Sequence, residues 1–139
     1  MADFVLDASV AMAWCFDDEA SEYADKVLEA LSTVSALVPV IWPLEVGNVL
    51  VGAKRHDRLP AAMSARFVEL IRELPIEVET TESGLALGPV LALAREQGLS
   101  TYDASYLELA MRAGLPLSTQ EGALLRAAAA CSVPHYLSD

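Results

Sequence analysis

Short apolar runs recur along this chain with helix-length segments between them, and that alternation constrains the fold more than any other feature. Phe4, Val5 and Leu6 form a buried-strand run that ends at Asp7. Residues 36–41 (ALVPVI) form a second run, in which Pro39 points to an edge or an early stop. Residues 76–79 (IEVE) alternate as a half-buried strand does, and 115–117 and 134–137 complete the strand candidates. Between them, helical periodicity covers residues 9–16 and 19–31, the latter with Tyr23, Val27, Leu28 and Leu31 on one face. Further helices are expected over 43–56, opened by Pro43, and over 60–74. Others run over 83–97, from near Asp103 to Gly114, and over 120–130. Strands separated throughout by helices predict an α/β fold, a three-layer α/β/α sandwich with a mainly parallel central sheet. A chain of 139 residues, 54% of them hydrophobic, fits a single domain, residues 1–139, around one core.

In such sheets ligands sit beyond the carboxyl ends of the strands. Four acids fall there: Asp7 in VLDAS, Glu45 in WPLEVGN, Asp103 in LSTYDAS and Glu121 in LSTQEGA. The last two belong to an echo, since LSTYDASYLELA (99–110) and LSTQEGALLRAA (117–128) share Leu-Ser-Thr-x-acid-small. That echo suggests one local task done twice. Each copy also satisfies the S-x-x-[DE] capping box, Ser100 with Asp103 and Ser118 with Glu121. For a single acid, helix capping is the economical account, because a carboxylate in a first turn favours the helix dipole by about 0.3–1 kcal/mol. Four carboxylates at one mouth are a different matter. They raise one another's proton affinity and cost stability unless a cation joins them. Mg²⁺ or Mn²⁺, hard ions that prefer carboxylate and water oxygens, would resolve the conflict and could activate water against a phosphodiester. Asn48 lies one helical turn from Glu45 and shares its face, as a polar neighbour of the site.

The charge balance narrows the partners. Twenty acids against nine Lys and Arg give a net charge of −11, which argues against nucleic-acid binding by phosphate neutralisation alone. It leaves room for an enzyme whose metal ions and few Arg side chains meet the phosphate, and it favours a basic protein partner. Cys15 and Cys131 have no metal-ligand spacing and read as small apolar residues in a reducing compartment. The acidic start MADFVLDASV lacks a secretion signal's basic flank, and no apolar run approaches the ~20 residues of a membrane span. A cytoplasmic location is therefore expected, with no membrane contact.

VLDASVAMAWCFDDE, PLEVGNVL, STYDASYLELA and LSTQEGALLRAA together resemble the PIN-domain ribonucleases, and most of all the VapC toxins of bacterial toxin–antitoxin pairs. The resemblance covers essentially the whole chain. It implies a metal-dependent endoribonuclease in which Asp7, Glu45 and Asp103 are the core metal-binding acids. It places Glu121 at a fourth acidic position where the family more often has Asp. Ser9, in the D-x-S of the first motif, matches the family's hydroxyl beside the first acid, and Thr101 and Thr119 are candidates for similar hydrogen bonding. The implied partners are an RNA substrate and a cognate antitoxin that presents an Arg or Lys to the acidic pocket. The aliphatic residues at 44–71 suggest a helix-mediated homodimer.

Other features carry less. KRHDR, residues 54–58, could contact an RNA backbone, but positive charge near a helix C-terminus has a structural explanation. Trp14 and Trp42 could stack on bases, though large residues at element starts usually fill cores. Asp17, Asp18 and Glu19 form a solvated cap or an acidic rim to the site. His135 has no Ser–His–Asp companion, and no phosphate-binding glycine loop is present. Two other classes stay open: a non-catalytic PIN-like metal- or RNA-binding module, and a receiver-like regulatory domain with phosphoryl-acceptor chemistry at one Asp.

Overall fold

Phe4–Leu6 (β1), Ala36–Val38 (β2), Ile76–Val78 (β3) and Leu117–Ser118 (β4) form a four-stranded parallel sheet of order β3-β2-β1-β4, with β1 inside it. The computed structural model describes residues 1–80 and 83–138. All three β1 residues are fully buried, as expected for a parallel strand covered on both faces. Ala36–Val38 (β2) pairs on one side of β1, with Phe4 opposite Ala36. Ile76–Val78 (β3) pairs with β2 in turn and forms an edge, with Glu77 and Val78 exposed. Leu117–Ser118 (β4) pairs on the other side of β1, with Val5 opposite Leu117 and Leu6 opposite Ser118. The order of strands therefore reverses between β1 and β4, and a crevice opens at such a reversal.

The helices follow as expected in kind. Ala8–Cys15 (α1), Glu22–Ala30 (α2), Trp42–Arg55 (α3) and Ala61–Glu73 (α4) connect the first three strands. Ser83–Leu85 (α5), a π-helical turn at Ala86–Val90 and Leu91–Gln97 (α6) form the stretch read as one helix over 83–97, with Pro89 inside the wide turn. Thr101–Ala113 (α7) and Gly122–Ala130 (α8) complete the set. Helix α1 packs on α2 and α3, whereas α7 packs over β1 and β4 and against α6 and α8. Because the chain crosses the sheet in opposite directions before and after β3, right-handed connections put these two groups on opposite faces. That is the α/β/α sandwich.

Local chemistry explains the boundaries. Ser21 caps α2 by accepting the Ala24 N–H at 3.0 Å, so the helix expected from residue 19 begins later, after a 3₁₀ turn at Asp17–Glu19. Gly98 and Gly114 take left-handed conformations, φ 66° and 68°, and stop α6 and α7. Strand β2 ends at Val38, immediately before Pro39. The strand expected over 134–137 is reduced to one bridge between Leu117 and His135, because only Pro134 and Tyr136 exchange hydrogen bonds with Leu117. Trp42 is buried and Trp14 donates its indole N–H to the Ala24 carbonyl at 2.7 Å; both pack in the core, not as base-stacking platforms. Cys15 and Cys131 are free, half-buried and packed against the same core.

Candidate active site

Asp7 follows directly from β1, at the point where the strand order reverses. It is the N-cap residue of α1, yet its carboxylate makes no capping bond. Instead Oδ2 accepts two hydroxyl protons, from Ser9 and from Thr119, each at 2.7 Å. Both hydroxyls in turn accept backbone N–H groups of the β4–α8 loop, Ser9 from Gln120 at 3.4 Å and Thr119 from Glu121 at 3.1 Å. The carboxylate is thus wired to the loop beside it, and Oδ1 has no protein hydrogen-bond partner among the described residues. Asp7 is only 4% exposed. Burial pushes its pKa from 3.8 up to about 6, against the downward pull of the Ser9 and Thr119 bonds, and Asp103 and Glu45 add to the rise.

Glu45 projects from the first turn of α3 and is half-buried. Its Oε1 accepts the hydroxyl proton of Tyr106, a fully buried residue of α7. Burial raises the Glu45 pKa, the Tyr106 bond lowers it and Asp103 raises it. Tyr106 itself is held far above the usual phenol range by burial, the nearby Asp7 carboxylate and its bond to Glu45, so it stays a donor. Asp103, three residues before Tyr106 on the same helix, is half-buried and has a pKa raised by burial. Its backbone N–H is bonded by the Ser100 hydroxyl at 3.0 Å, which caps α7 and leaves the Asp103 carboxylate to the cleft.

These groups line one cleft of about 390 Å³ at the carboxyl end of the sheet. Asp7, Ser9, Glu45, Asn48, Asp103 and Glu121 all face it. Thr119 stands behind Asp7, buried. Thr101 lies elsewhere, in a neighbouring groove beside Pro39, Ile41 and Tyr102. Glu121 is exposed and forms the N-cap of α8 without a side-chain capping bond. The capping box expected between Ser118 and Glu121 is absent: Ser118 is buried in β4 and bonded to the Tyr23 hydroxyl at 2.9 Å. Sheet pairing has claimed the residue that would otherwise cap.

Tyr106, buried behind Glu45, lay outside the sequence reading of the site, and Arg58 entered that reading only as a member of the 54–58 basic cluster. Tyr106 carried a usable signal, its i, i+3 spacing from Asp103. Arg58 carried none beyond its basic cluster, because a turn after α3 swings it to the rim. The cluster divides there, with Lys54 and Arg55 in the last turn of α3 and only Arg58 on the cleft.

The donor set is all oxygen, which suits a hard divalent cation and not a thiophilic one. Among the described residues, no three His, Cys, Asp or Glu side chains stand close enough to form a ready-made cage. An ion such as Mg²⁺, which keeps several waters and uses one or two carboxylates, does not need one.

No curated protein sequence matches the chain. Among solved structures, the crystal structure of PAE2754 from Pyrobaculum aerophilum is 27% identical with a TM-score of 0.70, over 91% of this chain and 84% of that one. A toxin–antitoxin complex from Klebsiella pneumoniae is 20% identical with a TM-score of 0.60, over 86% of this chain and 87% of that one, a likeness of fold. The PIN domain profile matches residues 4–130, from the first buried strand to the end of α8 and through every segment that bears a cleft carboxylate. By that match the chain belongs to the PIN domain family, whose fold generally serves nucleases.

Proposed function

We propose that this protein is a metal-dependent endoribonuclease that acts as the toxin of a type II toxin–antitoxin pair in the cytoplasm. The observation that carries the reading is the meeting of Asp7, Glu45 and Asp103, from three separate elements, on one cleft where burial raises the pKa of each. Such an arrangement is costly for a bare protein and useful to one that holds a cation. Asp7, Glu45 and Asp103 would hold Mg²⁺ or Mn²⁺, with Glu121 at the mouth in support. When bound, the ion supplies Lewis-acid activation of water and neutralises charge on the departing oxygen. The protein's part is positional. Ser9 and Thr119 hold one oxygen of Asp7 and leave the other for the ion, and Tyr106 fixes Glu45. Asn48 offers a polar group on the cleft wall next to Glu45.

The toxin–antitoxin complex among the similar structures supports an antitoxin partner. An acidic cleft is suited to receive an Arg or Lys from such a partner. A homodimer through α3 and α4 is supported by the exposed Leu44 (70%), Val51 (51%) and Met63 (48%). No helix among the described residues is long and apolar enough to cross a membrane.

Cleavage of a mixed RNA substrate in Mg²⁺ or Mn²⁺ is the test. Asp103→Asn should abolish cleavage and leave the circular dichroism spectrum unchanged. Full activity of that variant, or of the wild type in chelator, overturns the reading. The exposed position of Glu121 favours a second reading, a PIN-like module that binds metal or RNA without turnover. Calorimetric Mn²⁺ binding with no RNA cleavage would establish it.

A further inference from the structure

We propose that Arg58 is a substrate-binding residue of the cleft, contacting a phosphodiester of the bound RNA; this rests on the nuclease reading. Among the described residues that line the cleft it is the one cation, facing Asp7, Glu19, Glu45, Asp103 and Glu121. An RNA backbone entering such a cleft meets these five carboxylates and one guanidinium, which decides where its phosphate rests.

The local fold builds this placement. After α3 the chain turns through Asp57 in the left-handed region, φ 52°. The Arg58 N–H bonds the Ala53 carbonyl at 2.8 Å and the Asp57 N–H bonds the Lys54 carbonyl at 3.3 Å. These are the two bonds of a Schellman helix end, and they redirect Arg58 from the helix axis to the cleft. Its guanidinium lies 4.2 Å from the centroid of the buried Phe16 ring. Nη2 donates to both Asp18 carboxylate oxygens, at 3.0 and 3.1 Å, and to Glu19 at 3.1 Å. Nε and Nη1 have no hydrogen-bond partner among the described residues, and the side chain is 41% exposed. The planar fork is thus oriented from below and on one nitrogen, with donors left over that match phosphate geometry.

A surface ion pair serving only the fold would use Arg58 for the sake of Asp18 and Glu19. The two roles separate in one binding experiment, fluorescence anisotropy of a labelled oligoribonucleotide in Ca²⁺ across a salt series, with cleavage measured in parallel in Mg²⁺. Arg58→Ala should weaken RNA binding about tenfold and lower the salt slope by about one. Arg58→Lys should recover the slope but not the full affinity. The pair Asp18→Asn with Glu19→Gln, which removes the ion pair and keeps the guanidinium, should bind RNA at least as tightly as the wild type. The circular dichroism spectrum should stay unchanged in all of them, and Arg58→Ala should not weaken calorimetric Mn²⁺ binding, since it removes a like charge from the cleft. Unchanged RNA affinity and slope in Arg58→Ala overturn the proposal, as does an Asp18/Glu19 variant that weakens binding as much as Arg58→Ala. RNA binding without cleavage by the wild type defeats the nuclease reading while still testing Arg58; neither binding nor cleavage defeats both.

Discussion

Residues 99–110 and 117–128 begin with the same three residues, Leu-Ser-Thr, and reach an acid at the same offset, yet they fold differently. In the first, Ser100 is the N-cap and Asp103 is the third residue of α7, half-buried with its carboxylate on the cleft. In the second, Leu117 and Ser118 are sheet, Thr119 is buried and Glu121 is the N-cap of α8. The helix starts three residues later relative to the shared motif. The first copy follows the Gly98 helix stop and belongs to no strand, so Ser100 is left to cap. The second lies beside β1, and pairing of Val5 with Leu117 and Leu6 with Ser118 takes precedence over a cap. Both copies therefore put an acid on the cleft, Asp103 half-buried and Glu121 exposed, but only the second adds a hydroxyl that steadies Asp7.

The largest expected contrast is in catalysis. Asp103→Asn should lower kcat for RNA cleavage at least about a hundredfold, as removal of a charge used in the transition state does. Glu121→Gln, exposed and at the rim, should cost about tenfold or less. Equal losses would return the two copies to one common task.

Next comes the carboxylate that both copies surround. The Asp7 pKa is raised from 3.8 to about 6, so between those values the folded state keeps a proton that the unfolded chain has lost. Its contribution to stability is therefore complete below about pH 4 and is lost as pH rises through about 6. The span corresponds to about 3 kcal/mol. In the absence of divalent cations, the melting temperature should fall from pH 4.5 to 7.5 through this group, and Asp7→Asn should flatten that fall. Mg²⁺ at pH 7.5 should raise the wild-type melting temperature more than that of Asp7→Asn. A pH dependence unaltered by Asp7→Asn would remove Asp7 as its source.

A smaller contrast separates the two threonines. Thr119→Val leaves the Glu121 N–H and one side of Asp7 without the hydroxyl and should cost about 1–3 kcal/mol in chemical denaturation. Thr101→Val, on an exposed first-turn position, should stay within about 0.5 kcal/mol. Smallest are the serines. Ser100→Ala should cost about 1 kcal/mol by loss of the α7 cap. Ser118→Ala should cost about as much, but by loss of its bond to Tyr23, so a Tyr23→Phe background should absorb the Ser118 effect and leave the Ser100 effect intact.

The sequence by itself determined the layer architecture, because period-2 and unbroken apolar runs cannot serve as helices and the 3.6-residue stripes between them cannot serve as strands. It determined that Asp7, Glu45, Asp103 and Glu121 lie near helix starts, since strand ends and caps are local matters. It located Ser100 as a cap, where Gly98 isolates the signal. Only the tertiary structure decided which of two identical Leu-Ser-Thr motifs caps a helix, because sheet hydrogen bonding comes from β1, more than a hundred residues away in the chain. Only it could show that Thr119 serves Asp7, that Tyr106 holds Glu45 and that Thr101 faces another groove. Arg58 is the clearest case. A left-handed residue after α3 turns one member of a basic cluster toward the acids, and a composition of charges cannot encode that direction.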